Sequence, residues 1–220
     1  MDNDADYFAP RRFLREPIPE LFKCAWMLDQ AVGAHLDGDR KTAGNLFRAA
    51  DLATVRDYVE SLWGKASLWP EQVHYKRLRT VSNLPAKIPN AKDRMPNAKT
   101  KAAIVERDGY VCRFCGIPVI PASVRKAVVR DYPDFVSWGT TNASQHAGFQ
   151  ALWLQFDHVI PASFGGSSEI DNVVITCAGC NYCKWHYHLK ELGLEDPRKY
   201  SPIKTSWDGL TRYQESKAVN

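Results

Sequence analysis

Apolar residues recur at helical spacing twice in the first third of the chain. Between Ile18 and Val32 they fall at Leu21, Cys24, Leu28, Ala31 and Val32, behind two prolines that suit a helix start. His35 to Asp39, carrying Gly38, reads as a turn. The helical pattern then returns from Thr42 to Trp63 through Leu46, Ala50, Val55, Val59 and Leu62, and predicts one helix closed by Gly64. Residues 1–82 are therefore expected to form a helical domain. The periodicity is lost over 83–99, NLPAKIPNAKDRMPNAK, where three prolines and a repeated PNAK mark a linker or extended arm. Beyond this boundary, 100–220 is read as a second domain.

In that second part the pattern changes from helix to strand. Thr100 to Arg107 predicts a short helix and Asp108-Gly109 a turn. Leu152 to Phe156 is an apolar run suited to a strand, 161–171 a loop, Val173 to Thr176 a β-branched strand, and Asn181 to Leu192 a helix ending at Gly193. Residues 117–151 are longer than a simple connection needs. They are read as an insertion in which Pro121 to Asp131 predicts a helix bearing Arg125, Lys126 and Arg130, placed to influence substrate choice. The tail, SWDGLTRY, predicts a helix that packs Trp207 and Leu210 back on the second domain.

Charge sharpens the division. Residues 1–75 hold 9 Lys/Arg against 12 Asp/Glu, net −3, whereas residues 76–107 hold 9 against 2, net +7. Such a basic block suits contact with phosphates, and a solvated linker has the same composition. The whole chain is only +4. No run of 18 apolar residues occurs, and MDNDADYFAP lacks the basic and apolar stretches of a signal peptide, so a soluble cytoplasmic protein without a membrane is expected.

Four of the six cysteines form two Cys-x-x-Cys pairs, Cys112/Cys115 and Cys177/Cys180. In a reducing compartment this spacing points to thiolates on a structural Zn²⁺, two from each tight turn, with the tetrahedral shell closed. Cys24 and Cys183 stand outside the pairs; Cys183 is near enough to compete as a ligand. The isolated His35 and His74 are read as surface or internally satisfied residues, and Trp26, Trp63 and Trp69 as core or interface.

Residues 156–184 read FDHVIPASFGGSSEIDNVVITCAGCNYCK. Asp157-His158, Pro161, Gly165-Gly166, Asn172 and Cys177-x-x-Cys180-Asn181-x-x-Lys184 resemble the HNH endonucleases, and the resemblance covers about residues 100–192. It implies an α+β fold: a helical N-terminal domain followed by a zinc-stapled ββα-metal nuclease domain. It also implies a metal-dependent cut of nucleic acid, most readily DNA, in a setting such as bacterial restriction or anti-phage defence. By the same resemblance His158 is a general base, Asp157 and Asn181 hold a catalytic Mg²⁺ or Mn²⁺, and Asn172 supports the loop that orients His158. The final family position is Asn181, a His-Asn-Asn form whose amide oxygen still suits a hard cation.

Three side chains carry further expectations. Lys184, on the helix turn beside Asn181, is placed either to pair with a phosphate or to lie in solvent. His186 is a candidate to replace or assist Asn181 as a ligand, against a surface or packing role, and His146, in the insertion, a candidate to reach the cleft, against a surface role. The competing readings of the whole chain are a zinc-dependent DNA-binding module without cleavage, and a docking protein whose helical domain recruits a partner.

Overall fold

The computed structural model describes residues 11–63, 78, 80–88 and 95–215. The expectations for Gly64, Trp69, His74 and parts of the basic block lie outside them. Helix α1 (Pro19–Leu36) starts with proline in its first turn and runs past Val32. The chain reverses at Gly38, φ +85°, and the Asp39 carboxylate caps α2 (Arg40–Ala49) by accepting the Thr42 N–H at 3.0 Å.

The single helix expected from Thr42 to Trp63 is two, α2 and α3 (Ala53–Trp63). The break falls at Asp51, whose carboxylate accepts the Ala147 N–H at 2.7 Å and pairs with Arg56 at 2.8 Å. A short acidic side chain used this way competes with helix continuation, a tertiary demand that periodicity does not register.

Helix α4 (Ala98–Asp108) is capped by Asn97, which accepts from Thr100 N–H at 2.9 Å, and ends at Gly109. Helices α5 (Ala122–Asp131) and α6 (Ala147–Ala151) follow. Strands β1 (Leu154–His158) and β2 (Val173–Cys177) pair antiparallel, with Asp157 opposite Val174 and His158 opposite Val173. β1 thus begins later than the apolar run suggested. Leu152 N–H still closes α6 on Gly148 O at 3.0 Å, so the extended conformation starts at Leu154 and carries Asp157 and His158 within the strand.

The helix expected from Asn181 to Leu192 is also two. α7 (Ala178–Lys184) begins at the second cysteine pair and stops at Trp185, φ +48°; α8 (Leu189–Leu192) starts afresh with His188 and Glu191 capping one another and ends at Gly193. The tail is a turn through Leu210 leading into α9 (Arg212–Glu215), where a longer helix was expected. Its packing is definite: Trp207 Nε1 donates to Val119 O at 3.0 Å, and Arg212 pairs with Asp29 on α1.

One cluster of buried residues joins Leu28, Phe47 and Val59 of the first three helices with Phe149, Leu152, Ile175 and Tyr213. Helices and sheet share a core, and α3 packs against both α6 and α7. A polar knot sits at the free edge of β2. Asp108, fully buried, accepts from Arg107, from Arg113 and from Ile175 N–H, while Arg113 also donates to Pro197 O and Tyr200 O. Among the described residues no helix is long and apolar enough to cross a membrane.

Candidate active site and metal centre

Two turns bring the cysteine pairs together. In the first, Gly116, at φ +76°, donates its N–H to Cys112 O at 2.9 Å, folding Cys112 and Cys115 into a knuckle; Arg113 N–H then docks that knuckle on Ile175 O of β2. In the second, Cys177 caps α7, its Sγ accepting the Cys180 N–H at 3.4 Å. The four Sγ atoms all lie within 4.8 Å of one another, and Cys115 and Cys177 are 3.7 Å apart. Thiolates about 2.3 Å from zinc at tetrahedral angles stand about 3.8 Å apart, so the donor set fits that ion.

All six cysteines are free of disulfides. Burial opposes ionisation of Cys112, yet S–H donors from the other three outweigh it and hold its pKa well below the ordinary value. The same donation to Cys112 keeps Cys115 and Cys180 protonated well above theirs. Four cysteines so arranged could hold a metal ion. Cys183 is buried and lies outside this group.

The sheet and α7 form the second site. A cleft of about 370 Å³ is lined by Gln155, Asp157, His158, Asn181, Lys184 and His186 together with Met95 and neighbouring loop residues. Asp157, His158 and Asn181 are therefore brought to one cavity, the first two by the end of β1 and the third by the first turns of α7.

Lys184 corrects both expectations made for it. It is 1% exposed, neither solvated nor presented to a phosphate, and its Nζ donates to Asp157 Oδ1 at 3.0 Å and His158 O at 2.7 Å. Helical geometry carries it a turn beyond Asn181 and under β1, where only a cation balances the buried carboxylate. Asp157 Oδ2 is also buried and has no hydrogen-bond partner among the described residues. Burial raises the Asp157 pKa, with Lys184 opposing that shift. A buried carboxylate oxygen of a residue that lines a cleft could hold a hard cation. Asn181 fits the same ion, because its Nδ2 donates to Gln155 Oε1 at 3.5 Å and leaves the amide oxygen as acceptor.

His158 is 5% exposed, and its Nε2 lies 3.0 Å from Ser168 Oγ. The loop bearing Ser168 is clamped by Asn172. That amide accepts Ile160 N–H at 2.9 Å, donates to Ile160 O at 3.0 Å and donates to Ser167 O at 2.8 Å. The paired glycines serve the same turn. Gly165 is left-handed at φ +82°, and a Cβ at Gly166 would stand 1.7 Å from Ile160 O.

His146 is not brought to the cleft. It is fully buried, caps α6 by accepting the Phe149 N–H at 3.3 Å, and meets Phe47 O at 2.7 Å; burial lowers its pKa. The residue pins the insertion to α2. Arg125 is likewise no exposed substrate contact, for its guanidinium is buried 3.6 Å from the Trp138 ring and 4.4 Å from that of Trp153. His186 lines the cleft from the segment just after α7.

Sequence reasoning passed over Ser168, Gln155 and Asp108, because a lone Ser, Gln or Asp carries no spacing signal. Only Asp108 offered a hint, as a turn residue before Gly109.

The sequence pattern of the HNH endonuclease family matches residues 147–195, the stretch from α6 to just beyond α8. The match supports nuclease activity at the level of the family, and with it a nucleic-acid substrate. No curated protein and no solved structure matches the chain.

Proposed function

We propose that this chain is a metal-dependent endonuclease that hydrolyses phosphodiester bonds of DNA. The observation that carries the reading is that Asp157, whose buried Oδ2 meets no hydrogen-bond partner among the described residues, lines one cleft with His158 and Asn181. Asp157 and Asn181 would hold Mg²⁺ or Mn²⁺, which when bound supplies charge stabilisation at the scissile phosphate. His158 takes a proton from water as the water oxygen bonds phosphorus and the bridging P–O bond breaks. Asn172 and Ser168 keep the imidazole-bearing strand end and its loop in register for that transfer, and Lys184 opposes the effect of burial on Asp157 and holds its carboxyl in place. Zn²⁺ in the four-cysteine cage would fasten the knuckle to α7, so the ligand Asn181 is set by the same metal that ties the fold.

Restriction or anti-phage defence in the cytoplasm is the setting we propose, on the strength of the family likeness alone. An accompanying role for the first helices in recruiting a partner draws on the exposure of Phe22 and Trp26, one turn apart on α1. The test is incubation of purified protein with supercoiled plasmid, with and without Mg²⁺ or Mn²⁺, beside His158→Ala. Loss of a general base is expected to lower the rate by about 10²- to 10⁴-fold while zinc content and melting stay unchanged. Undiminished cleavage by the variant would remove His158 from the mechanism; no cleavage in any metal would favour a binding module.

A further inference from the structure

Beside the catalytic cleft runs a second one, of about 490 Å³. Its walls are aromatic, from Trp63, Trp153, Tyr182 and Trp185, and its polar lining includes the amides of Gln145 and Gln150. Among the described residues no charged side chain lines it. A cleft of this make does not attract phosphate. It suits a flat, neutral, hydrogen-bonding ring.

Two of its walls are shared. Tyr182 and Trp185 also line the cleft that holds Asp157 and His158, so the aromatic cleft begins where the catalytic one ends. Both rings are presented to solvent, Tyr182 at 42% and Trp185 at 62% exposure, and Trp185 keeps φ +48°, a backbone conformation that side-chain-bearing residues rarely adopt. Strain spent on exposing a large indole is a sign of a contact surface. Gln150 is 3% exposed. Its Nε2 donates to Gln145 Oε1 at 3.3 Å, while its own Oε1 is buried without a partner among the described residues. Trp153 is backed by the Arg125 guanidinium, which does not itself line the cleft.

We propose that this cleft binds a nucleobase withdrawn from the stack, next to the phosphate being cut, with the base stacked on Trp185 and Tyr182 and its polar edge toward the two glutamines. The proposal rests on the nucleic-acid substrate proposed above. The base can come from single-stranded DNA or be extruded from a duplex, and both present the same π-face and hydrogen-bonding edge.

The experiment uses the full chain without added Mg²⁺. Binding is followed by anisotropy with a fluorescein-labelled oligothymidylate, with the same oligomer made abasic, and with a duplex carrying one mismatched 2-aminopurine. The base-bearing strand is expected to bind at least about tenfold tighter than the abasic one, since stacking on aromatics is worth that much per base. Trp185→Ala and Tyr182→Ala each shrink that ratio severalfold, and Trp185→Phe restores most of it. Photo-crosslinking of 5-iodouracil DNA is expected to label Tyr182 or Trp185. Tighter binding of the mismatched 2-aminopurine duplex than of the same duplex with an abasic site at that position assigns an extruded base; base-dependent binding of the single strand alone assigns that source. Equal binding of abasic and base-bearing strands, or crosslinks confined to other segments, would overturn the proposal. Plasmid cleavage combined with base-independent binding sinks this site alone, whereas base-dependent binding without cleavage sinks the nuclease reading alone.

Discussion

Two buried aspartates stand at the sheet, one at the free edge of β2 and one in β1, and they are satisfied to different degrees. Asp108 is saturated: Arg107, Arg113 and the Ile175 N–H occupy both its oxygens. Asp157 is half-satisfied, with Oδ1 on Lys184 and Oδ2 without a partner among the described residues. A buried carboxylate with every lone pair engaged holds elements together. One left with a dry oxygen beside a cavity stores the capacity to bind a cation. The four-cysteine cage belongs with Asp108 in this respect, since its thiols face one another and leave no open position.

The difference can be pressed hardest at the cage. Cys112→Ser is expected to lose zinc and to unfold at a much lower temperature, because structural zinc in small domains contributes on the order of 10 kcal/mol at neutral pH. Metal analysis and melting together check it; unchanged melting would remove the staple from the account of the fold. The aspartates themselves should then separate. Asp108→Ala strands buried Arg113, and a loss of about 3–5 kcal/mol is expected, with cleavage per folded molecule retained. Asp157→Asn should instead abolish metal-dependent cleavage and move the melting temperature little, since an amide oxygen still meets Lys184. If both variants lose stability and activity alike, the contrast between them fails.

Lys184→Met sharpens the point. It leaves Asp157 buried and unpaired, at a cost of about 3–5 kcal/mol in chelator-treated protein. Mn²⁺ is expected to raise the melting temperature of this variant more than that of the wild type, because the cation replaces the lost charge. An identical metal response in the two proteins would argue that Asp157 is no ligand. The smallest effect concerns the clamp. Asn172→Ala leaves Ile160 N–H and two carbonyls without partners, costing about 1–3 kcal/mol, and lowers the cleavage rate without altering the metal concentration needed for half-maximal activity.

Much of this arrangement is legible in the linear chain. The two Cys-x-x-Cys pairs are legible from spacing, because tight turns operate over a few residues, while Asp157-His158, the paired glycines, Asn172 and Asn181 stand out through the resemblance to the HNH endonucleases. The first helix and both strands follow from periodicity for the same reason, local spacing repeated. What the chain conceals depends on distant partners. The break at Asp51 answers to Ala147, and the late start of β1 to the closing of α6. Lys184 reads as a surface lysine until α7 swings it beneath Asp157, and His146 as a polar loop residue until Phe47 O covers it.

By itself, then, the sequence marked the two cysteine pairs and the stretches that could be helix or strand, since both are set by neighbours within a turn or two. The tertiary structure alone decided which carboxylate is saturated and which keeps a free oxygen. It also decided that aromatic residues as far apart as Trp63, Trp153 and Trp185 wall one cleft beside the cleft lined by Asp157 and His158. Satisfaction and enclosure are properties of the groups packed around a side chain, and no interval along the chain encodes them.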